Sequence, residues 1–403
     1  MLRIAAGTYG GILYGWDAIP VDDKSNTSSK KWQLKLRFGY SAHSECIKSA
    51  AFMKSRNGKI LLSGSSDETI KIYDADKRIE VGTLMEQSGS ITCLEFFQHT
   101  HLLSASTDKT VCIWRVSDWN CLHVLGGHKE EISAIAIHPS GKLAFSVARD
   151  QTLRMWNLVN GRCAYIRRLE KEAEIVRIST LGKRYLLTFG NVVSIFCTSD
   201  AELIGTLTHP KRMHACVFAT DDLVVCAGED RHIYVWNVDG TLLAKVTHAD
   251  LTARIRCIDV IIENESSELP TIVLATSNGT VQIWDLNDLQ LDSEFPLESN
   301  EAAQPAATTM ILNAPRITCL TACVSLQNDT ADQQENPDLA LQSVETPTQI
   351  TQPVSKKASN APRVVIEMDD EVEAEETEQN AMKPPKKRKK SRNARKRKTK
   401  ELS

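Results

Sequence analysis

"SASTDKTVCIWR", residues 104–115, places an acid, Asp108, in a polar turn. On one side lies the apolar stretch ending at Leu102-Leu103, on the other the alternating run Val111, Ile113, Trp114. Taken alone, Ser, Thr and Asp in one triplet fit either a catalytic site or a turn. The rest of the chain decides between them. "SGSSDETIKIYD" (63–74), "SVARDQTLRMWN" (146–157), "CAGEDRHIYVWN" (226–237) and "LATSNGTVQIWD" (274–285) repeat the pattern. The closing aromatics, Tyr73, Trp114, Trp156, Trp236 and Trp284, are spaced by 41, 42, 80 and 48 residues. The wide gap hides a degraded copy, "LLTFGNVVSIFC" (186–197), with Phe196 forty residues after Trp156. A period near 40 residues marks a repeat architecture. A catalytic site is normally unique, whereas this constellation recurs, so Asp67, Asp108, Asp150 and Asp230 read as turn acids.

Within one unit every segment is strand-like. "ITCLEF" (91–96), "HLLSAS" (101–106), "TVCIWR" (110–115) and "CLHVL" (121–125) are short runs rich in β-branched and aromatic residues, separated by polar turns. Four-stranded units at this period predict the blades of an all-β propeller. Six aromatics from Tyr73 to Trp284 count six blades. The seventh comes from the two ends. "AAGTYGGILYGW" (5–16) matches the later half of a unit, and "PRITCLTACV" (315–324) matches an opening strand, as in "GSITCLEFF" (89–97). Joined, they make one blade and remove the open edges of a linear array.

These residues resemble WD40 repeats, whose motif is Gly-His, then a Ser-x-Ser-x-Asp turn, then Trp-Asp. The third complete blade matches best, with Gly127-His128, Ser146, Asp150 and Trp156, although Asn157 stands for the last Asp. The resemblance implies that His128, Ser146, Asp150 and Trp156 form a hydrogen-bonded set joining strands of one blade. A buried carboxylate needs donors, and an imidazole N–H and a hydroxyl supply them. Asp108 has no such obvious partner, because "QSGSI" (87–91) replaces Gly-His. Gly10 stands at the turn position of the N-terminal unit, Asn278 at that of the sixth complete blade, and the fourth has no acid there. These units are expected to lean on apolar packing. "SGSSDETIKIYD", "SGSITCLEF", "IHPSGKLAFSVARDQTLRMWNLVNGR" (137–162) and "PRITCL" are similar to one branch, the p21-activated protein kinase-interacting protein 1-like family. That resemblance implies a seven-bladed WD40 β-propeller closed by N- and C-terminal strands. It also implies a nucleolar role in large-subunit ribosome assembly among pre-ribosomal proteins and rRNA, or binding and restraint of a PAK-class protein kinase; a general adaptor of another nuclear complex is the remaining alternative.

The charge is unevenly divided. Residues 383–400 hold twelve Lys or Arg and no acid, leaving 36 bases against 50 acids in residues 1–382. An acidic body thus carries a basic end, and the two suit different partners. The eleven cysteines are scattered singly with no C-x-x-C pair, several inside apolar runs, as expected for buried thiols in a reducing compartment. No signal peptide is expected, since "MLRIAAGTYGGILYGW" lacks an apolar h-region. No run approaches 18 apolar residues, so no membrane partner is expected. Phosphate-binding loops of the G-x-x-x-x-G-K-[ST] and G-x-G-x-x-G types are missing, as is a G-x-S-x-G elbow. His99 and His101 in "FFQHTHLL" fit a turn between strands better than a metal site. The reading is therefore a non-enzyme with no cofactor, no metal and no small-molecule substrate.

The propeller is expected over 1–325 and a disordered charged tail over 326–403. The tail is polar and poor in aromatics, and so buries too little apolar surface to offset the entropy of ordering. "EMDDEVEAEETE" (367–378) holds eight acids, with Thr377 in a setting favoured by acid-directed kinases. In "KPPKKRKKSRNARKRKTK" (383–400), Lys386, Lys387, Arg388, Lys389, Lys390 and Arg395, Lys396, Arg397, Lys398 form two clusters. They suit nuclear and nucleolar localisation and contact with RNA phosphates. Three polar insertions are candidate binding loops. They are 19–32, between the N-terminal unit and the next repeat, 262–270, inside the sixth complete blade, and 289–314, before the closing strand.

Overall fold

The computed structural model describes residues 1–21, 31–262, 269–289, 304–311, 313 and 315–325. The tail, with its acidic and basic stretches and Thr377, lies outside the described residues, as do the centres of the three insertions.

Seven four-stranded antiparallel sheets account for the described strands. In chain order their inner strands are Ile47–Phe52, Ile91–Phe97, Ile132–Ile137, Ile175–Ile178, Met213–Phe218, Ile255–Ile261 and Ile317–Val324. Each inner strand packs on the next, and the last packs on the first, so the ring closes. Successive strands of a blade are joined by tight turns, and the register pairs neighbours in sequence throughout blades one to six. The second of these turns, between the second and third strands, in blades one, two, three and five carries a left-handed residue directly after the acid: Glu68, Lys109, Gln151 and Arg231.

The apolar core is divided among the seven interfaces between blades. Each repeat aromatic packs into the interface with the blade before it. Trp114 joins Leu62, Ile72 and Leu94 between blades one and two. Trp156 joins Leu103, Ile113 and Ile135 between blades two and three. Phe196, Trp236 and Trp284 repeat the placement around the ring. Trp16 meets Val273 and Ile283, and Tyr73 meets Ala5, Leu13 and Cys319, which completes the circle. A blade therefore buries both faces only when it has two neighbours, and a linear array would leave two faces wet.

The closing blade is assembled from both chain ends, as expected, but not half and half. Leu2–Thr8, Ile12–Val21 and Lys31–Ser41 supply three strands, and Ile317–Val324 supplies the innermost. The 19–32 insertion consequently sits within this blade, between its second and outermost strands. Likewise 289–314 contains Ala307–Met310, the outer strand of blade six, which pairs with Thr280–Asp285. Ala307–Met310 is short and partly exposed, and so reads as part of a polar insertion. Residues 262–270 join Ile255–Ile261 to Thr271–Thr276 inside blade six. No described helix is long and apolar enough to cross a membrane.

Candidate functional site

Blade three places the motif residues as follows. His128 Nδ1 lies 3.1 Å from Asp150 Oδ2, and His128 Nε2 lies 2.7 Å from Ser146 Oγ. Trp156 Nε1 donates to the same Ser146 oxygen at 2.7 Å. Ser146 Oγ accepts from Trp156, so it donates to His128 Nε2, and Nδ1–H donates to the carboxylate. Three further donors reach Asp150: Lys129 N–H at 2.8 Å, Thr152 N–H at 3.0 Å and Thr152 Oγ1 at 2.6 Å. Burial lowers the His128 pKa against the pull of Asp150, which keeps the ring neutral. Burial raises the Asp150 carboxyl, but the bonds from Thr152, Lys129 and His128 outweigh it and hold it low.

Blade one contains the same arrangement around a residue not singled out in the sequence, His43. Its Nδ1 lies 2.9 Å from Asp67 Oδ2 and its Nε2 lies 2.7 Å from Ser63 Oγ. Thr69 Oγ1 donates to Asp67 at 2.7 Å, and Tyr73 stands where blades two, three, five and six carry Trp. In blade two the expectation that Asp108 lacks a partner is corrected. Gln87 is buried in the histidine position. Its Oε1 accepts from Ser104 Oγ at 2.5 Å, and its Nε2 donates to Thr110 Oγ1 at 3.2 Å and to Thr110 O at 3.0 Å. Thr110 Oγ1 in turn donates to Asp108 at 2.7 Å, and Ser88 N–H at 3.0 Å. A carboxamide carries one donor and one acceptor, as a neutral imidazole does, so the relay survives the exchange.

Asp230 differs. Cys226 replaces the serine, and Trp236 Nε1 donates directly to His209 Nε2 at 3.0 Å. Asp230 Oδ2 is buried without a hydrogen-bond partner among the described residues. Blades four and six place fully buried Leu186 and Leu274 at the serine position. His101 opens a strand and lies 3.0 Å from the Thr100 hydroxyl. The Ser-His-Asp groups thus spend their hydrogen bonds on one another and on the backbone.

The inner strands enclose a central channel of about 890 Å³. Its wall carries Glu95, Arg177 and Asp259 within the inner strands, exposed Lys54 just past the end of one of them, and Arg212, His214, Arg254 and Arg256 toward the end where the inner strands begin. Burial pushes the Glu95 carboxyl up to about 7, against the pull of Arg177. Asp259 accepts from Ala322 N–H at 2.8 Å and pairs with Lys54 at 3.3 Å, which ties blade six to the closing strand.

Residues 34–74, 79–115, 119–157 and 201–237 match the family described as WD domain, G-beta repeat. A Gallus gallus protein, p21-activated protein kinase-interacting protein 1-like, is 35% identical over 319 residues, covering 79% of this chain and 79% of its own. The chain belongs to the p21-activated protein kinase-interacting protein 1-like family of WD40-repeat proteins. The Homo sapiens p21-activated protein kinase-interacting protein 1 is 32% identical over 319 residues, 79% of this chain and 76% of its own. The Schizosaccharomyces pombe Shk1 kinase-binding protein 15 is 26% identical over 310 residues, 66% and 86% of the two chains.

For this member of the family, three signals in the sequence were available and unread. The Asp-x-Thr spacing in "DET", "DKT" and "DQT" marks a hydroxyl that closes each turn on its acid. "AHSE" (42–45) is a Gly-His site with Ala for Gly. "RMH" (212–214) and "RIR" (254–256) put cations at the start of two inner strands.

Proposed function

We propose that this chain is a non-catalytic WD40 scaffold acting in nucleolar assembly of the large (60S) ribosomal subunit and in pre-rRNA processing. The propeller, residues 1–325, docks proteins or structured RNA of a large-subunit precursor. The tail, residues 326–403, supplies a nuclear address and affinity for rRNA phosphates through Lys386–Lys390 and Arg395–Lys398. The observation that carries this reading is the division of charge: 36 bases against 50 acids before residue 383, then twelve bases without an acid. Such a chain suits an assembly that mixes basic proteins with RNA. The family supports a scaffold, because in the described blades the Ser-His-Asp groups are consumed by strand-to-strand hydrogen bonds.

A second reading is binding and restraint of a PAK-class kinase. It is favoured by the names of two relatives, one called a p21-activated protein kinase-interacting protein and one a Shk1 kinase-binding protein. Depleting the protein and following large-subunit rRNA precursors and free subunits separates the two. The assembly reading expects precursors to accumulate and free large subunits to fall. Normal rRNA processing with altered PAK-class kinase activity would leave the kinase reading in its place.

A further inference from the structure

The channel mouth is charged on one side. In six blades the inner strand begins with a bulge, after Ile47, Ile91, Ile132, Met213 and Ile255 and next to Ile317 in the closing strand. A bulge turns its extra residue out of the ladder. Here the extra residues line the channel, and three of them are Lys48, His214 and Arg256. Two positions earlier, the same strands carry Arg212, Arg254 and Arg316. Apart from Glu229, which stands beside His214, acids are found on the opposite arc, where Arg149 bridges Glu131 and Glu172 at 2.9 and 3.3 Å and Glu174 takes Arg212 at 3.0 Å. Ring closure thus collects cations from blades five, six, closing and one into one continuous arc.

Most of that arc has no counter-charge. Lys48, Arg254, Arg256 and Arg316 form no ion pair with a carboxylate among the described residues. His214 adds a directed donor. Its side chain is 9% exposed, and its Nδ1 lies 3.3 Å from Arg256 Nη1. A guanidinium only donates, so Nδ1 accepts and the ring hydrogen sits on Nε2. That Nε2 has no hydrogen-bond partner; Glu229 Oε1 stands 3.6 Å away. Burial, with the charges of Arg256, Arg254 and Arg212, keeps His214 neutral against Glu229. At the other end of the arc, the Arg316 guanidinium lies 5.5 Å over the Tyr9 ring, which is 62% exposed. Guanidiniums without acceptors recognise phosphates, and an exposed aromatic beside them stacks a base. An acidic peptide would use the cations and leave the Tyr9 face idle. A duplex would offer that ring no free base.

We propose that Arg254, Arg256, Arg316 and His214 bind the phosphates of single-stranded RNA at the channel mouth, with Tyr9 stacking a base. In naming RNA as the partner of the docking face, this rests on the assembly reading above. The test uses the purified full chain and a single-stranded oligouridylate carrying 4-thiouridine, with near-ultraviolet cross-linking, peptide sequencing and affinities over a salt series. Cross-links are expected on the Tyr9 peptide as well as on residues 383–400. Arg254→Gln with Arg256→Gln removes the Tyr9 cross-link and flattens the slope of log affinity against log salt by about 0.7 per arginine. Tyr9→Ala, a surface change that leaves the melting temperature alone, weakens binding roughly tenfold in a variant lacking the competing basic clusters. It reads the same site should the double variant fold poorly. Cross-links confined to 383–400, a full salt slope in the double variant, or a Tyr9 protected by an acidic peptide and not by RNA overturns the proposal. A Tyr9 cross-link alongside normal rRNA processing after depletion would keep the RNA site and sink the assembly reading. Defective processing with no Tyr9 cross-link would do the reverse.

Discussion

Asp150 and Asp230 occupy the same turn position and do different things. Asp150 accepts from Thr152, Lys129 and His128, whereas Asp230 Oδ2 has no partner among the described residues. Asp150→Ala leaves the part-buried donors of His128 and Thr152 without their acceptor and is expected to cost about 1–3 kcal/mol. Asp230→Ala removes no hydrogen bond at Oδ2 and is expected to change stability by within about 0.5 kcal/mol. Urea midpoints at unchanged slope measure both, and equal costs would mean that the turn bonds contribute nothing. His209 carries a pH effect at the same scale. Burial pushes its pKa down to about 4 against the pull of Asp230, while the unfolded value is near the ordinary 6.5 of an imidazole. Between those values the unfolded chain binds a proton that the native ring refuses, because a proton on Nε2 would evict the Trp236 N–H. Stability therefore falls as pH drops from 6.5 toward 4 and is flat above that window. His209→Gln, which still offers Trp236 an oxygen, is expected to flatten the slope in that window when denaturant midpoints are followed with pH. An unchanged slope would place the titration elsewhere.

At the scale of elements, the turns and central strands were legible because their constraints are local. A polar triplet, an alternating run and a closing aromatic recur every 40 or so residues, so Asp67, Asp108, Asp150 and Asp230 fell on equivalent turns. What hid was less local. Gln87 was missed because a carboxamide does not look like a histidine, although it offers the same donor and acceptor. Ala307–Met310 was absorbed into the 289–314 insertion because its four residues, Ala-Thr-Thr-Met, barely alternate, whereas Lys31–Ser41 alternates at Trp32, Leu34, Leu36, Phe38 and Tyr40 and only its first two residues fall within the 19–32 insertion. The cation arc was invisible for a stronger reason. Arg212, Arg254, Arg316 and Lys48 are far apart in sequence, and only the bulge at the start of each inner strand and the circular order of the blades bring them together.

Across the whole molecule, one antiparallel seam decides whether seven sheets become one body. Ile317–Val324 lies against Leu2–Thr8, with Ala322 opposite Ile4. Ala322 is fully buried in the cluster that joins blade six to the closing blade, among Leu2, Ile4, Trp16, Val273 and Ile283. Its N–H also reaches Asp259 at 2.8 Å. Ala322→Arg puts an uncompensated charge there and is expected to cost about 3–5 kcal/mol. The control is Val81→Arg, on an outer strand at a position 61% exposed, where no loss is expected. The form of the transition matters as much as its midpoint. Every interface cluster draws on two blades, so freeing the seam exposes faces on blade six and blade one together, and each loss weakens the next interface in turn. The variant is therefore expected to unfold in a single transition shifted to lower urea. Two transitions, with only the closing blade lost in the first, would mean that blades one to six hold as an open array and that closure supplies shape rather than stability.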